Sequence, residues 1–191
     1  MYIAIEGIDT AGKSTQIEAL SNFFSDAVIT KEPGATEIGK EIREMVLSAR
    51  AQSKKAEFLL FLADRAEHIK EVIEPNINTK MIISDRSAVS GVAYALTQGE
   101  IKSDDLVALN NFATNGIYPD KVFLLRLTKE ELEFRLSQKE LDGIELRGSE
   151  YLLAIQDAII EATKLLKLEL VMIDATKSRE EITQEILNNI N

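Results

Sequence analysis

The strongest chemical signal in the sequence is a phosphate-binding pattern at residues 7–14. These residues match G-x-x-x-x-G-K-[ST] and lie between a short apolar run and a segment with helical periodicity, which is the context that the pattern requires. Backbone N–H groups of such a loop point at phosphate oxygens, and the following helix adds the positive end of its dipole. We expect Lys13 to reach the β- and γ-phosphates and the Ser14 hydroxyl to coordinate Mg²⁺. The predicted nucleotide-binding residues are Gly7, Ile8, Asp9, Thr10, Ala11, Gly12, Lys13, Ser14 and Thr15.

A carboxylate and a guanidinium, Asp85 and Arg86, follow a later apolar run. If that run is a parallel strand, its carboxyl end places both side chains beside the phosphate loop. Asp85 could hold Mg²⁺ directly or through water, and the planar fork of Arg86 could bind an anionic oxygen. The alternative is a surface ion pair that closes a turn.

An aromatic ring and a guanidinium share one predicted helical face, because Phe61 and Arg65 are four residues apart. Such a pair suits a flat heterocycle, on which the ring stacks while the guanidinium donates to an exocyclic oxygen. The alternative is a core phenylalanine beside an arginine whose charged end reaches solvent. Arg43 is similarly either an anion ligand or a solvated helix charge.

Few groups are available for acid–base chemistry, since the chain has no cysteine and one histidine, His68. We expect His68 to be a solvated helix residue. A phosphate monoester acceptor is largely dianionic at neutral pH and needs no general base, whereas a hydroxyl acceptor would need a carboxylate such as Asp9. The sequence therefore favours a phosphorylated acceptor. A guanine-specific switch is disfavoured because the chain has no Asn/Thr-Lys-x-Asp element.

Five short apolar runs alternate with helical segments and must position these groups. The runs are residues 2–5, 27–30, 81–84, 122–127 and 168–173, and the clearest amphipathic helices are residues 14–24 and 36–48. This alternation predicts an α/β fold in which a five-stranded parallel sheet carries helices on both faces. Residues 58–62 are apolar on every side, which implies that a ligand pocket or a partner subunit lies against them. The charged residues 128–147 are the best candidate for a mobile flap.

The composition excludes several classes of protein. The chain has 191 residues with 22 Lys+Arg and 32 Asp+Glu, so its formal net charge is −10. An acidic chain without a long basic run is poorly suited to bind nucleic acid or an anionic membrane. Its length and its 45% of hydrophobic residues indicate one globular domain over residues 1–191. The absence of cysteine and of any signal-like or membrane-spanning run predicts a cytoplasmic protein.

Taken together, these motifs resemble the thymidylate kinase family over nearly the whole chain. The matching segments are Glu-Gly-Ile-Asp-Thr-Ala-Gly-Lys-Ser-Thr at 6–15, Lys-Glu-Pro-Gly-Ala-Thr at 31–36, Phe-Leu-Ala-Asp-Arg at 61–65, Asp-Arg at 85–86, Tyr94, Tyr-Pro-Asp at 118–120 and Ile-Asp-Ala-Thr at 173–176. The resemblance implies a P-loop kinase fold with a short flexible lid. It also implies a homodimer that uses Mg²⁺ and transfers the γ-phosphoryl group of ATP to dTMP, giving dTDP and ADP. Another nucleoside monophosphate or deoxynucleoside kinase, or a non-enzymatic P-loop switch, is the alternative.

The resemblance also implies roles for individual residues. Phe61 would stack on thymine, Arg65 would contact its O4, and Tyr94 would exclude a 2′-hydroxyl from the sugar site. The residues around dTMP would be Asp9, Glu32, Pro33, Arg43, Phe61, Arg65, Arg86, Ser90, Gly91 and Tyr94. Adenine would lie against Arg135, Ala175 and Thr176. Catalysis would use Lys13, Asp9, Arg86 and Lys139, and the metal ligands would be Ser14 and Asp85.

The predicted lid, at about residues 135–150, departs from the family pattern. The phosphate loop has no arginine, which resembles the branch of the family that places its transition-state cation in the lid. Gly143, however, stands where such relatives usually carry a basic residue. The cation would then be Lys139, Arg135 or Arg147, among which Lys139 ranks first.

Overall fold

The computed structural model of the chain describes residues 1–48, 51–141 and 145–190. The strands are β1 (Tyr2–Glu6), β2 (Val28–Lys31), β3 (Ile82–Asp85), β4 (Lys121–Arg126) and β5 (Leu170–Asp174). Within the described residues the α-helices are α1 (Lys13–Phe23), α2 (Glu37–Leu47), α3 (Lys54–His68), α4 (Ala88–Gln98), α5 (Ser103–Thr114), α6 (Lys129–Ser137), α7 (Ser149–Leu165) and α8 (Arg179–Ile190). Helix α3 continues into a π-helical turn, Ile69–Ile73, and Glu145–Arg147 forms a 3-10 turn.

The strands form one parallel sheet in the order β2-β3-β1-β4-β5. The five-stranded parallel sheet predicted from the sequence is therefore confirmed, with strand boundaries shifted by one or two residues. Side chains of the central strands β1 and β4, such as Ile3, Ile5 and Phe123, have no exposed surface. Continuous burial of this kind is expected where helices cover both faces of a parallel sheet.

Helices cover both faces because the chain reverses its direction across the sheet. It first passes from β1 to β2, and then returns through β3 and β4 to β5. Since crossovers between parallel strands are right-handed, the reversal places α1 on one face and the helices between β2 and β5 on the other. The packing agrees, because α1 contacts α8 while α4 contacts α7.

The same reversal creates a crevice at the carboxyl ends of β1 and β3. These neighbouring strands pair in parallel, with Ile5 beside Asp85, and the connections that follow them leave toward opposite faces. Crevices at such a switch point are the usual ligand sites of open α/β sheets. The phosphate loop follows β1 and Arg86 follows β3, so the topology places both candidate groups at this crevice.

His68 lies in the protein interior, so the expectation of a solvated helix residue is wrong. Its Nε2 atom is 2.7 Å from the hydroxyl oxygen of Thr30 on β2. The neighbouring acidic residue Glu67 suggested a polar face, but His68 follows Arg65 by three residues and shares the buried face of that arginine.

The predicted lid contains the end of α6, the 3-10 turn and the first residues of α7. Gly143 lies outside the described residues. The motion of this segment stays a prediction. No helix in the described parts of the chain combines the length and the apolar character that a membrane crossing requires.

Candidate active site

The phosphate loop depends on two glycines with positive φ angles. A side chain at Gly7 (φ 151°) would come within 3.0 Å of the Leu125 carbonyl oxygen and 3.2 Å of the Ala11 Cβ atom. Gly12 (φ 94°) precedes α1 in a left-handed conformation and provides no side-chain cap. The N–H groups of the first turn of α1 are therefore not bonded by a capping side chain, which suits an anion at this helix end.

Lys13 is a buried cation held by the loop that it serves. Its Nζ atom donates to the carbonyl oxygens of Gly7 and Ile8, at 3.1 Å each, and lies 3.7 Å from the carboxylate of Asp9. Burial, together with the nearby charge of Arg86, lowers the pKa of Lys13 to about 8. The lysine thus points into the loop before any ligand arrives and carries a charge that is poorly solvated.

Arg86 is fixed by three hydrogen bonds and a constrained backbone. One terminal nitrogen donates to Gly7 O at 3.0 Å and to Ser90 Oγ at 3.2 Å, and the other donates to Asp9 Oδ1 at 2.7 Å. Its backbone is left-handed (φ 68°), which is uncommon for a residue with a side chain. Burial would raise the pKa of Asp9, but the charges of Arg86 and Lys13 outweigh it and the pKa is lowered.

Asp85 offers an oxygen for a metal ion. Its Oδ1 atom is buried and has no hydrogen-bond partner among the described residues. Ser14 is exposed, and it lines the same cleft as Asp85 at this edge of the sheet. Oxygen donors of this kind, with room for water, fit Mg²⁺.

The loop and Arg86 open on a cleft of about 540 Å³ that carries several further cations. The charged residues along it are Asp9, Lys13, Lys31, Glu32, Arg43, Asp85, Arg86 and Lys139. Lys139 reaches the cleft from the end of α6 and lies 2.7 Å from the buried carboxylate of Glu145. The predicted phosphate-contacting residues are thus brought together, while the role of each stays a prediction.

Behind the cleft, Arg65 belongs to a buried polar network. Its Nε atom donates to Glu32 Oε2 at 2.9 Å and one terminal nitrogen donates to Asn110 Oδ1 at 2.8 Å. The other Glu32 oxygen accepts from His68 Nδ1 at 2.8 Å. Burial would raise the pKa of Glu32, but Arg65 and His68 lower it below its ordinary value. Arg65 is 2% exposed, so the alternative in which its charged end reaches solvent is wrong.

The loop after β2 is fastened to α3 at two points. Glu32 provides the first, and the second is the Gly34 N–H, which donates to Asp64 Oδ1 at 2.9 Å. Arg43 extends from α2 over this loop and donates to Pro33 O at 3.0 Å. A side chain on Gly34 would come within 2.9 Å of the Arg43 Cδ atom, so the glycine leaves room for the stem of the arginine. The position of Arg43 in the cleft therefore depends on α3.

The residues predicted to surround the base and sugar lie next to these groups. Phe61 and Tyr94 are half-buried, and burial raises the pKa of the Tyr94 hydroxyl to about 12. Gly91 lies against Arg65, since a side chain there would come within 3.0 Å of the guanidinium. Ser90 is buried, and its hydroxyl is bonded to other side chains of the site.

Arg135 connects two segments of the predicted ATP site, the phosphate loop and the loop after β5. It donates to Thr10 O at 3.0 Å and to Ala175 O at 2.7 Å, while Glu131 Oε1 accepts from its Nε at 2.6 Å. Thr176 is exposed next to Ala175. The guanidinium plane is therefore held between the phosphate loop and the loop after β5.

Sequence reasoning missed several members of the site. They are Glu6, Lys31, Asp64, His68 and Asn110. His68 follows Arg65 by three residues and Asp64 by four on one helix, and this spacing could have indicated that His68 shares their buried surroundings. Asn110 and Glu6 gave no signal, because their partners are distant along the chain.

Comparison with known proteins identifies a family for this chain. Residues 5–186 match the family model described as thymidylate kinase. A thymidylate kinase of Sulfurimonas denitrificans is 75% identical over 191 residues and covers all of both chains. One from a Sulfurovum species is 52% identical over 98% of this chain and 97% of its own. The solved thymidylate kinase of Ehrlichia chaffeensis superposes with a TM-score of 0.77 at 25% identity, covering 100% of this chain and 97% of the other.

Proposed function

Because the chain belongs to the thymidylate kinase family, whose members are ATP-dependent nucleoside monophosphate kinases, we propose that this site transfers the γ-phosphoryl group of ATP to dTMP. The products are dTDP and ADP, and the whole chain acts as one catalytic domain. The observation that carries the assignment of the site is the convergence of Lys13, Arg86 and Arg43 on one cleft at the switch point of the sheet.

The donor nucleotide lies on the phosphate loop. The N–H groups at the start of α1, which no described side chain caps, bind the phosphate oxygens, and Lys13 neutralises charge that develops on the transferred group. Arg135 covers the adenine ring, which suits a planar guanidinium held at both ends. Ser14 and Asp85 would hold Mg²⁺, which when bound neutralises phosphate charge and helps to align the two substrates.

The acceptor phosphate lies between Arg86 and Arg43, in line with the γ-phosphoryl group. No proton has to be removed from a dianionic phosphate, and this agrees with the electrostatics of Asp9. Since the pKa of Asp9 is lowered, its carboxylate is a weak base that is better suited to hold Arg86 than to activate a hydroxyl. The site therefore favours a nucleoside monophosphate over a nucleoside as acceptor.

The base of the acceptor lies against Phe61, with Arg65 at its exocyclic oxygen. Arg65 is pre-oriented by Glu32 and Asn110, so little side-chain entropy is lost on binding.

The proposal is tested with ATP and a panel of dTMP, dUMP, dCMP, AMP, GMP and thymidine. dTMP should have the highest kcat/KM, and preference for any other acceptor would contradict the proposal. Slow ATP hydrolysis without stimulation by an acceptor would favour the switch.

Replacing Lys139 with alanine is expected to lower kcat by about tenfold or more with a smaller change in either KM. The lysine lines the phosphate cleft, and its charge contributes to the lowered pKa of Asp9, which places it close to the reacting groups. Steady-state kinetics of Lys139→Ala measures the effect, and Lys129→Ala on the outer side of α6 is the control. An unchanged kcat would contradict the assignment of Lys139 as the lid residue that supplies the transition-state cation.

The proposed enzyme is a homodimer, and the surface of α2 and α3 supports this proposal. Met45, Leu59 and Leu60 line an apolar groove there, and Leu59 is 56% exposed although α3 continues into the core. A second copy that covers this groove would bury the apolar side chains that the fold leaves exposed.

Leu59→Glu is therefore expected to shift the chain from dimer to monomer at micromolar concentration. The carboxylate would be desolvated at the centre of the interface, whereas in the monomer it is solvated and costs little stability. Sedimentation equilibrium measures the change. Leu146→Glu, at an exposed apolar position of the 3-10 turn, is the control that should stay dimeric. A wild-type monomer, or a dimeric Leu59→Glu variant, would contradict the assignment.

A further inference from the structure

Glu6, the last residue of β1, is a fully buried carboxylate that the reaction does not use directly. Its Oε1 accepts a hydrogen bond from Ser87 Oγ at 2.8 Å, and its Oε2 accepts one from Ser90 Oγ. In the described part of the chain no Lys, Arg or His side chain forms an ion pair with it. Two serine hydroxyls thus hold a buried acidic group that directly precedes the phosphate loop.

The direction of these hydrogen bonds is fixed by the chemistry of the donors. Arg86 can only donate, so Ser90 Oγ accepts from it and directs its own proton to Glu6. Ser87 Oγ accepts from the Val89 N–H and likewise directs its proton to Glu6. Both carboxylate oxygens therefore accept, and a series of hydrogen bonds with one direction runs from Arg86 through Ser90 to Glu6.

The hydrogen bonds of Arg86 determine which of its N–H groups remain for an anion. A guanidinium has five N–H donors. Both protons of one terminal nitrogen are bonded, to Gly7 O and Ser90 Oγ, and one proton of the other is bonded to Asp9. Among the described residues the Nε–H and one terminal N–H have no partner and are available to a ligand, so the orientation of the guanidinium selects the edge that meets the acceptor phosphate.

We propose that Glu6 and Ser90 are positioning residues that orient the Arg86 guanidinium, and that Ser90 acts through Arg86 instead of binding dTMP. The inference rests on the proposed function for the identity of the acceptor. Burial raises the pKa of Glu6 while the two hydroxyls and the charge of Arg86 oppose that rise, as expected for an acceptor stabilised by directed donors.

Ser87 provides a matched control for Ser90. Both are buried serines that donate to Glu6, but only Ser90 accepts a hydrogen bond from the Arg86 guanidinium, and Ser87 also caps α4. Ser90→Ala should lower kcat with ATP and dTMP by about tenfold, the effect of losing one hydrogen bond to a charged group. Ser87→Ala should keep a kcat within about twofold of wild type. Because it also loses the cap of α4, it should lose more thermal stability than Ser90→Ala.

Glu6→Gln tests the acceptor at the other end of this series of hydrogen bonds. An amide presents one oxygen and one NH₂ group, so it cannot accept from both serines, and it removes the negative charge toward which Ser90 directs its proton. The double variant Glu6→Gln/Ser90→Ala should be no slower than the slower single variant, because the two residues act in series. Additive losses would overturn the proposal. A higher KM for dTMP with unchanged kcat in Ser90→Ala would show direct substrate binding by Ser90 and would also overturn it.

A measurement on the ligand-free protein separates this inference from the proposed function. Rotation of the Arg86 guanidinium about its Cζ–Nε bond, followed by ¹⁵N exchange NMR, should be faster in Ser90→Ala and Glu6→Gln than in wild type. It should be unchanged in Ser87→Ala. Equal rates in all four proteins would overturn the proposal. If the wild-type chain prefers another acceptor, the proposed function fails while this comparison still holds.

Discussion

Lys13→Ala is expected to lower kcat for dTMP phosphorylation by on the order of a hundredfold or more. The expected size follows from the preorganisation of the ammonium group, which the carbonyl oxygens of Gly7 and Ile8 hold in the loop before ATP binds. A charge that is already desolvated and oriented does not have to reorganise when the transferred group becomes more negative. Steady-state kinetics with saturating ATP and dTMP measures the loss.

The matched control is Lys40→Ala. Lys40 is an exposed residue of α2 that pairs with Glu37 one turn away, and it lies outside the cleft. Exposed pairs of this kind contribute little, so kcat should stay within about twofold of wild type. A Lys13→Ala variant that retains more than about a tenth of the wild-type kcat would contradict the placement of Lys13 at the transferred phosphoryl group.

The pKa of Lys13 gives an independent check on the same residue. Because burial lowers this pKa to about 8, the free enzyme carries the charge below pH 8 and loses it as the pH rises further. The kcat/KM for ATP reports on ionisations of the free enzyme and should therefore fall above about pH 8. Bound phosphates favour the charged form, so kcat should stay level to higher pH. A kcat/KM that stays level to pH 10 would contradict this interpretation.

The sequence was sufficient for the sheet and the phosphate loop because both are encoded locally. Residues 7–14 carry their own glycines, lysine and hydroxyl, and β1 and α1 on either side have the periodicity of a strand and a helix. The apolar runs of β3 and β4 are continuous, and this indicates burial on both faces without knowledge of their neighbours. Asp85 and Arg86 followed from the rule that the strand ends of parallel sheets meet at one edge.

The buried network around Arg65 could not be predicted in this way. Its partners Glu32 and Asn110 are 33 and 45 residues away in sequence, and no local pattern distinguishes a buried arginine from one that reaches solvent. The spacing of His68 places it on the face of Arg65, but whether that face is buried depends on partners such as Thr30 of the neighbouring strand β2. Long-range pairs between polar residues are decided by tertiary packing, which single-sequence periodicity does not contain.

Because Arg65 is buried in this network, Arg65→Met is expected to lower the free energy of unfolding by about 3–5 kcal/mol. Methionine fills much of the same volume, but it leaves Glu32 ionised, buried and without its guanidinium partner. It also leaves the Asn110 side-chain oxygen without its charged donor. Urea unfolding followed by circular dichroism measures the change, with Arg126→Met as the control. Arg126 is about half exposed and lies 3.8 Å from an exposed aspartate, so its replacement should cost less than about 1 kcal/mol.

A second variant separates the charge left on Glu32 from the loss of Arg65 as a ligand for the base. Arg65→Met/Glu32→Gln removes both charges, so it should recover much of the lost free energy of unfolding, because the uncompensated carboxylate causes most of the destabilisation. It should not recover the KM for dTMP, since the donor to the exocyclic oxygen is still absent. Full recovery of both quantities would show that Arg65 stabilises Glu32 but does not bind the base of dTMP. Recovery of neither would mean that the guanidinium stabilises the fold through Asn110 and the backbone around Gly91, and not through the ion pair.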